Sequence, residues 1–116
     1  MQNKILFNKP SIGKYEKLFI NQVIDNKKFT DGEFQNKAKN LIGNLIKSKS
    51  LELTHSCSSA LEISMLLIDL KKGDEVIMPS YTFTSTANAV LLRGGKPVFV
   101  DVSPHDVNLN YKLVEK

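Results

Sequence analysis

The sequence GDEVIMPSYTFTSTANAVLLRGGKPVFVDV, at residues 73–102, holds two short apolar runs on either side of a helical pattern. The runs cover residues 75–78 and 97–102, and the segment between them reads as a helix from about 85 to 93. Apolar runs without strict alternation are typical of strands in a parallel sheet covered on both faces. We therefore predict a strand–helix–strand unit with a right-handed crossover.

The same alternation extends upstream of this unit. Residues 51–54 read as a short strand, residues 55–59 as a polar loop, and residues 60–70 as an apolar helix. The prediction for residues 50–116 is thus an α/β segment of order β-α-β-α-β. Three strands with open edges make a poor complete sheet, and residues 110–116 resemble the start of another helix. We expect the chain to be the first part of a larger α/β protein.

Residues 1–49 show a different pattern and are predicted to form an N-terminal helical segment. Apolar residues at helical spacing indicate two amphipathic helices. Thr30 and Glu33 are spaced as a capping box, which predicts that the second helix begins at Thr30. The apolar faces of these helices require something to pack against.

Composition narrows the range of functions. The 116 residues include 15 lysines, one arginine and 12 acidic residues, and the lysines are scattered, so we expect no nucleic-acid partner. No apolar run reaches the length of a membrane helix, which argues against a membrane association. The start of the chain lacks the pattern of a secretory signal. The single Cys57 cannot form an internal disulfide, no metal-site spacing is present, and a cytoplasmic location is expected.

Two hydroxyl-rich loops are predicted at carboxyl ends of strands, where open α/β sheets bind ligands. The first loop, residues 54–59, leads into a helix, and a helix N-terminus suits a phosphate group. Ser58 and Ser59 would add hydroxyl donors there. The alternative is that these serines only cap the helix, with Ser59 and Glu62 as a capping box. No Walker or dinucleotide glycine pattern is present.

The second loop, residues 79–86, places Tyr81 and Phe83 among small polar residues. One of these rings would stack on a planar heterocycle, or would instead anchor the loop in the core. A nucleophilic site built from His55, Cys57 and Asp101 is disfavoured, because no nucleophile-elbow glycines are present.

Several of these stretches together resemble a known family. Residues 73–89 (GDEVIMPSYTFTSTANA), 92–95 (LRGG) and 98–102 (VFVDV) resemble the DegT/DnrJ/EryC1/StrS family of pyridoxal-phosphate-dependent sugar aminotransferases. Residues 54–62 (THSCSSALE) and 7–10 (FNKP) agree with its branch of dTDP-4-amino-4,6-dideoxygalactose transaminases. The resemblance spans essentially the whole chain but only about the first third of a family member.

The resemblance implies a fold type I aminotransferase that uses pyridoxal 5'-phosphate. Ser58 and Ser59 match family positions that hold the cofactor phosphate, and Phe83 matches the aromatic that stacks on the pyridine ring. The implied substrates are a dTDP-4-oxo-6-deoxyhexose and an amino-acid donor, with glutamate expected, in a pathway to surface polysaccharide. A homodimer of the full-length protein is also implied.

The resemblance assigns no catalytic residue to this chain. Family members need a lysine that bonds to the cofactor and an aspartate that pairs with its pyridine nitrogen, and both lie downstream of this segment. None of the 15 lysines matches that position, and Asp101 is interpreted as structural. We therefore predict that the 116-residue chain alone is inactive. The alternatives are a non-catalytic remnant or interaction module from a truncated or split gene, and an unrelated phosphate-binding α/β domain.

Overall fold

The computed structural model describes residues 5, 6 and 8–114. Phe7, which belongs to one of the stretches carrying the family resemblance, lies outside the described residues, as do residues 1–4 and 115–116. The chain divides into two compact units, Met1–Leu53 and Thr54–Lys116. The sequence predicts the boundary between the helical segment and the α/β segment four residues earlier, between residues 49 and 50. Each unit is described by itself.

The first unit contains two helices, α1 (Lys14–Asp25) and α2 (Glu33–Ile46). The backbone N–H of Gly13 donates to Glu16 Oε2 at 2.7 Å, so a side chain from the first turn satisfies the amide just before α1. Phe19 of α1 and Phe34 of α2 hold their ring centroids 5.2 Å apart in a tilted arrangement. This aromatic contact joins the two helices, although no residue of either helix is fully buried.

The predicted cap of α2 is wrong. The helix begins after Gly32, whose backbone is extended and which provides no side-chain hydrogen bond. The carbonyl of Gly32 accepts from the N–H groups of Gln35 and Asn36, so the first turn closes on Gly32 and not on Thr30. Glu33 pairs instead with Lys37, one turn further along the helix.

The second unit contains α3 (Cys57–Leu67), β1 (Glu75–Pro79), α4 (Ser85–Leu91), β2 (Lys96–Val100) and a 3-10 helix (Tyr111–Leu113). The two strands pair in parallel, with register running from Glu75 beside Lys96 to Pro79 beside Val100. A parallel pair requires a crossover, which α4 supplies. The predicted α/β class with parallel strands is confirmed.

One predicted strand is absent. Residues 51–54 are irregular, so the described part of the chain has two paired strands where the sequence predicts three. A strand is defined by its ladder of hydrogen bonds, and no described segment pairs with residues 51–54. The last predicted strand is also shorter than expected and ends at Val100, while Val102 forms an isolated antiparallel bridge with Leu109.

The core of the second unit lies between the sheet and its helices. The buried residues Leu70, Met78 and Val90 form one cluster. Gly95 is buried against it, and a Cβ atom at this position would lie 2.8 Å from Val90 Cγ1 and 2.9 Å from Leu70 Cδ2. Both distances are below van der Waals contact, so the packing of this core requires glycine at residue 95.

Candidate phosphate and cofactor site

Both hydroxyl-rich loops belong to the second unit. The loop after β1 follows the carboxyl end of that strand, and the N–H of Ser80 donates to the Val100 carbonyl at 3.3 Å, which ties the loop to β2. Within the loop the N–H of Thr82 donates to the carbonyl of Ser80 at 3.0 Å. These bonds hold the loop at the edge of the sheet where ligands of α/β proteins bind.

Phe83 and Tyr81 are both exposed on this loop. Their exposed fractions are 76% and 74%. The alternative in which an aromatic ring anchors the loop in the core is therefore wrong for both residues. An exposed ring next to the end of a strand is free to stack on a planar heterocycle.

The start of α3 is capped by Ser56. Its backbone is extended, and its Oγ accepts from the backbone N–H of Ser59 at 3.1 Å. The predicted cap at Ser59 is wrong, because the helix already begins at Cys57 and Ser59 lies in its first turn. An N-cap serine accepts from an amide two or three residues further along the helix, and Ser56 lies three residues before Ser59. This spacing is the sequence signal for a cap at Ser56.

Two backbone amides at the start of α3 remain available. Within the described residues, the N–H groups of Cys57 and Ser58 have no hydrogen-bond acceptor. Such unpaired N–H groups at a helix N-terminus favour an anion, and the positive end of the helix dipole adds to this preference.

The serine hydroxyls of the first loop make specific contacts. Ser58 Oγ lies 2.6 Å from Ser85 Oγ in a partly buried hydrogen bond. Ser59 Oγ lies 2.9 Å from His55 Nε2 and 3.1 Å from Ser56 Oγ. The sequence did not single out Ser85, although it lies in the stretch that carries the family resemblance. Its partner Ser58 is distant in the chain, and only the fold brings the two together.

Among the residues that the structure describes, no hydrogen bond joins the members of the disfavoured nucleophilic site. His55 Nε2 instead lies in a hydrogen bond with Ser59 Oγ, and Cys57 is an exposed free thiol. Asp101 Oδ1 accepts from the backbone N–H of Val102 at 2.8 Å. Within the described residues, no group of three His, Cys, Asp or Glu side chains is placed to hold a metal ion. No helix among those residues combines the length and apolarity needed to cross a bilayer.

The described donors therefore fit the phosphate end of a cofactor. Hydroxyls and unpaired amides supply hydrogen-bond donors without a negative charge of their own, and these are the groups that phosphate oxygens accept from. The residues Ser58 and Ser59, half-buried at the start of α3, carry these hydroxyls. The arrangement defines an α/β unit with a candidate phosphate site at a helix N-terminus.

Comparison with known proteins supplies the family. The DegT/DnrJ/EryC1/StrS aminotransferase family profile matches residues 10–116. The chain belongs to this family, and the resemblance seen in the sequence is confirmed.

Two curated relatives share this sequence. An uncharacterised protein of Methanocaldococcus jannaschii is 37% identical over 110 residues, covering 92% of this chain and 28% of the relative. The 3-oxo-glucose-6-phosphate:glutamate aminotransferase of Bacillus subtilis is 32% identical over 97 residues, covering 84% of this chain and 22% of the relative. The chain thus spans about a quarter of the length of these relatives.

Solved structures agree with the fold. The aminotransferase TlmJ of Streptoalloteichus hindustanus is similar with a TM-score of 0.85 and 28% identity, over 97% of this chain and 32% of that one. The GDP-4-keto-6-deoxy-D-mannose-3-dehydratase of E. coli, with hydrated pyridoxal phosphate bound, is similar with a TM-score of 0.82 and 25% identity. That match covers 92% of this chain and 30% of the dehydratase. The described fold matches the N-terminal part of fold type I aminotransferases.

Proposed function

We propose that this chain is the N-terminal part of a pyridoxal-phosphate-dependent sugar aminotransferase and contributes part of its cofactor site. The observation that carries the proposal is the family match over residues 10–116. The hydroxyls and free amides at the start of α3 lie in this matched region, and their chemistry suits a phosphate group.

Three residues carry the proposed cofactor contacts. Ser58 and Ser59 would donate hydrogen bonds to the phosphate, aided by the unpaired amides of the first turn of α3. Phe83 would stack on the pyridine ring, a role that its exposed position allows. When bound, pyridoxal phosphate supplies the electron-withdrawing ring through which an amino group is carried from donor to acceptor.

The proposed acceptor is a dTDP-4-oxo-6-deoxyhexose and the proposed donor is glutamate. One relative supports the general chemistry, since it is named as a 3-oxo-glucose-6-phosphate:glutamate aminotransferase. One solved neighbour, named as a 3-dehydratase, takes a GDP-4-keto-6-deoxy sugar as its substrate. The dTDP group and amination at the 4-oxo carbon rest on the sequence resemblance alone. A cytoplasmic homodimer that supplies amino sugars to surface polysaccharide completes the proposal.

The decisive experiment begins with the gene. The reading frame beyond the codon for Lys116 is sequenced, and the whole product is expressed and purified. We expect the frame to supply an aspartate and a lysine that match the family's cofactor positions. We also expect the product to convert glutamate to 2-oxoglutarate over many turnovers only when dTDP-4-oxo-6-deoxyglucose is present, with at most one 2-oxoglutarate released per bound cofactor in its absence.

Two results would contradict the proposal. A stop codon directly after Lys116 would favour the remnant or split-gene alternative, which is then tested by co-purification with a separately encoded C-terminal chain. A whole product that binds pyridoxal phosphate but aminates no keto sugar would remove the proposed reaction while leaving the cofactor site intact. Amination of a GDP-linked or phosphorylated keto sugar instead would overturn only the proposed acceptor.

A further inference from the structure

The contact between Ser58 and Ser85 connects the two loops of the candidate site. Ser85 is the first residue of α4, and its Oγ lies 2.6 Å from Ser58 Oγ, a short distance for a hydroxyl pair. Both residues are half-buried. Partial burial limits competition from water, so this bond constrains both side chains more than a surface contact would.

The direction of this hydrogen bond depends on what else Ser58 contacts. A serine hydroxyl has one hydrogen to donate and two lone pairs that accept. Phosphate oxygens accept hydrogen bonds, so a Ser58 hydroxyl that contacts phosphate donates its one hydrogen to it. Its oxygen is then left to accept from a neighbour, and Ser85 is the hydroxyl within reach.

We propose that Ser85 is a positioning residue for phosphate binding, donating its hydroxyl hydrogen to Ser58 Oγ so that the Ser58 hydroxyl points its own hydrogen at the phosphate. The inference rests on the proposed cofactor site and adds to it a residue from the second loop. Ser85 itself does not touch the ligand. Its effect is to fix one rotamer of Ser58 and to make that hydroxyl a better donor, as expected for linked hydrogen bonds.

The test compares two ligands that differ only in the phosphate. Pyridoxamine 5'-phosphate and pyridoxamine are titrated into the 116-residue chain by isothermal calorimetry. Neither carries an aldehyde, so the 15 lysines do not react with them. We define the phosphate ratio as the dissociation constant of pyridoxamine divided by that of pyridoxamine 5'-phosphate. This ratio measures the phosphate contribution to binding.

The variants separate positioning from structure. We expect Ser85→Ala to lower the phosphate ratio by about five- to tenfold, the usual loss for one hydrogen bond, while pyridoxamine binds as before. Ser85→Thr, which keeps the hydroxyl, should retain most of the ratio, and Ser85→Val, matched to it in shape, should lose it. Ser64→Ala is the control, because the Ser64 hydroxyl donates to the Ala60 carbonyl on α3 and is exposed.

Coupling to Ser58 gives the sharpest readout. Because Ser85 acts through Ser58, the double variant Ser58→Ala/Ser85→Ala should lose no more than Ser58→Ala alone. Additive losses, or an equal loss for both ligands in Ser85→Ala, would overturn the positioning role. A parent chain with no preference for the phosphorylated ligand would show that Ser58 and Ser59 do not hold the phosphate in this chain and would overturn the positioning role, whereas the proposed amino transfer is tested separately on the whole product.

Discussion

The Oγ of Ser56 accepts a hydrogen bond from the backbone N–H of Ser59 at 3.1 Å. Because this bond satisfies the third amide of α3, the amides of Cys57 and Ser58 are the ones left for a ligand. The cap therefore sets which groups of the helix terminus face an incoming anion.

Removing this cap should destabilise the second unit. We expect Ser56→Ala to lower the free energy of unfolding by about 1 kcal/mol, within the range measured for lost N-caps. Ser56→Asp, which keeps an acceptor at the same place, should retain most of the stability. Urea denaturation followed by circular dichroism measures both. Equal stability of Ser56→Ala and the parent chain would show that the bond contributes nothing.

The exposed ring of Phe83 predicts a change in binding without a change in stability. Phe83→Ala should leave the free energy of unfolding within about 0.5 kcal/mol of the parent, since exposed side chains rarely contribute more. It should weaken pyridoxamine and pyridoxamine 5'-phosphate by the same factor, about three- to tenfold, because a stacked ring contacts the pyridine and not the phosphate. Tyr81→Ala, equally exposed, is the matched control. A loss confined to the phosphorylated ligand would contradict the stacking role.

The close approach at Gly95 predicts a large packing effect. Gly95→Ala should destabilise the second unit by about 1–3 kcal/mol, the usual cost of overpacking, because the new methyl group overlaps Val90 and Leu70. Lys96→Ala, next in sequence and exposed, should cost far less. Thermal unfolding of the two variants against the parent measures the difference, and indistinguishable melting temperatures would refute the prediction.

The ion pair of Glu33 with Lys37 predicts a pH effect in the first unit. The hydrogen bond and charge of Lys37 hold the pKa of Glu33 below its ordinary value of 4.5. A carboxyl whose pKa is lowered in the folded state stabilises that state above its unfolded pKa, and the contribution is lost as the pH falls through the folded pKa. The helical signal of α2 should therefore weaken in acid.

A carboxyl-detected NMR titration tests this assignment. Lys37→Gln should return the pKa of Glu33 toward 4.5. Lys39→Gln is the control, because Lys39 pairs with Glu52 at 2.5 Å and not with Glu33. If Lys37→Gln leaves the titration of Glu33 unchanged, Lys37 is not the cause of the shift.

The chain alone should not transaminate. With pyridoxal phosphate, glutamate and dTDP-4-oxo-6-deoxyglucose, the purified 116-residue chain should release no 2-oxoglutarate above a protein-free control, since no lysine matches the family's cofactor-bonding position. The protein-free control is needed because pyridoxal phosphate transaminates slowly by itself. Several turnovers per chain would contradict the prediction.

Local pattern predicted most of the second unit. The apolar runs at 75–78 and 97–102 and the helix between them are present, with the second strand ending two residues early. The strand predicted at 51–54 is absent. A local apolar pattern indicates that a segment can form a strand, but it does not show whether another strand is available to pair with it. The predicted caps at Thr30 and Ser59 are wrong for different reasons. The helix α2 begins after Gly32, which has no side chain to signal a cap, whereas at α3 the neighbouring Ser56 supplies the cap in place of Ser59.

The candidate site was predictable only in part. Ser58, Ser59 and Phe83 follow from the loops and the family resemblance, and the structure places them at a helix start and on an exposed loop. The hydrogen bond between Ser58 and Ser85 spans 27 positions in the chain. No local pattern reports such a contact, since it arises from how α3 and α4 pack.

Gly95 also affects how variation among relatives is to be understood. Its backbone lies against Val90 and Leu70 with no room for a side chain. A glycine kept at this position across the family would thus reflect a steric limit on the core. Substitution there would be tolerated only in relatives where residues 70 and 90 have become smaller, so the three positions should vary together in evolution.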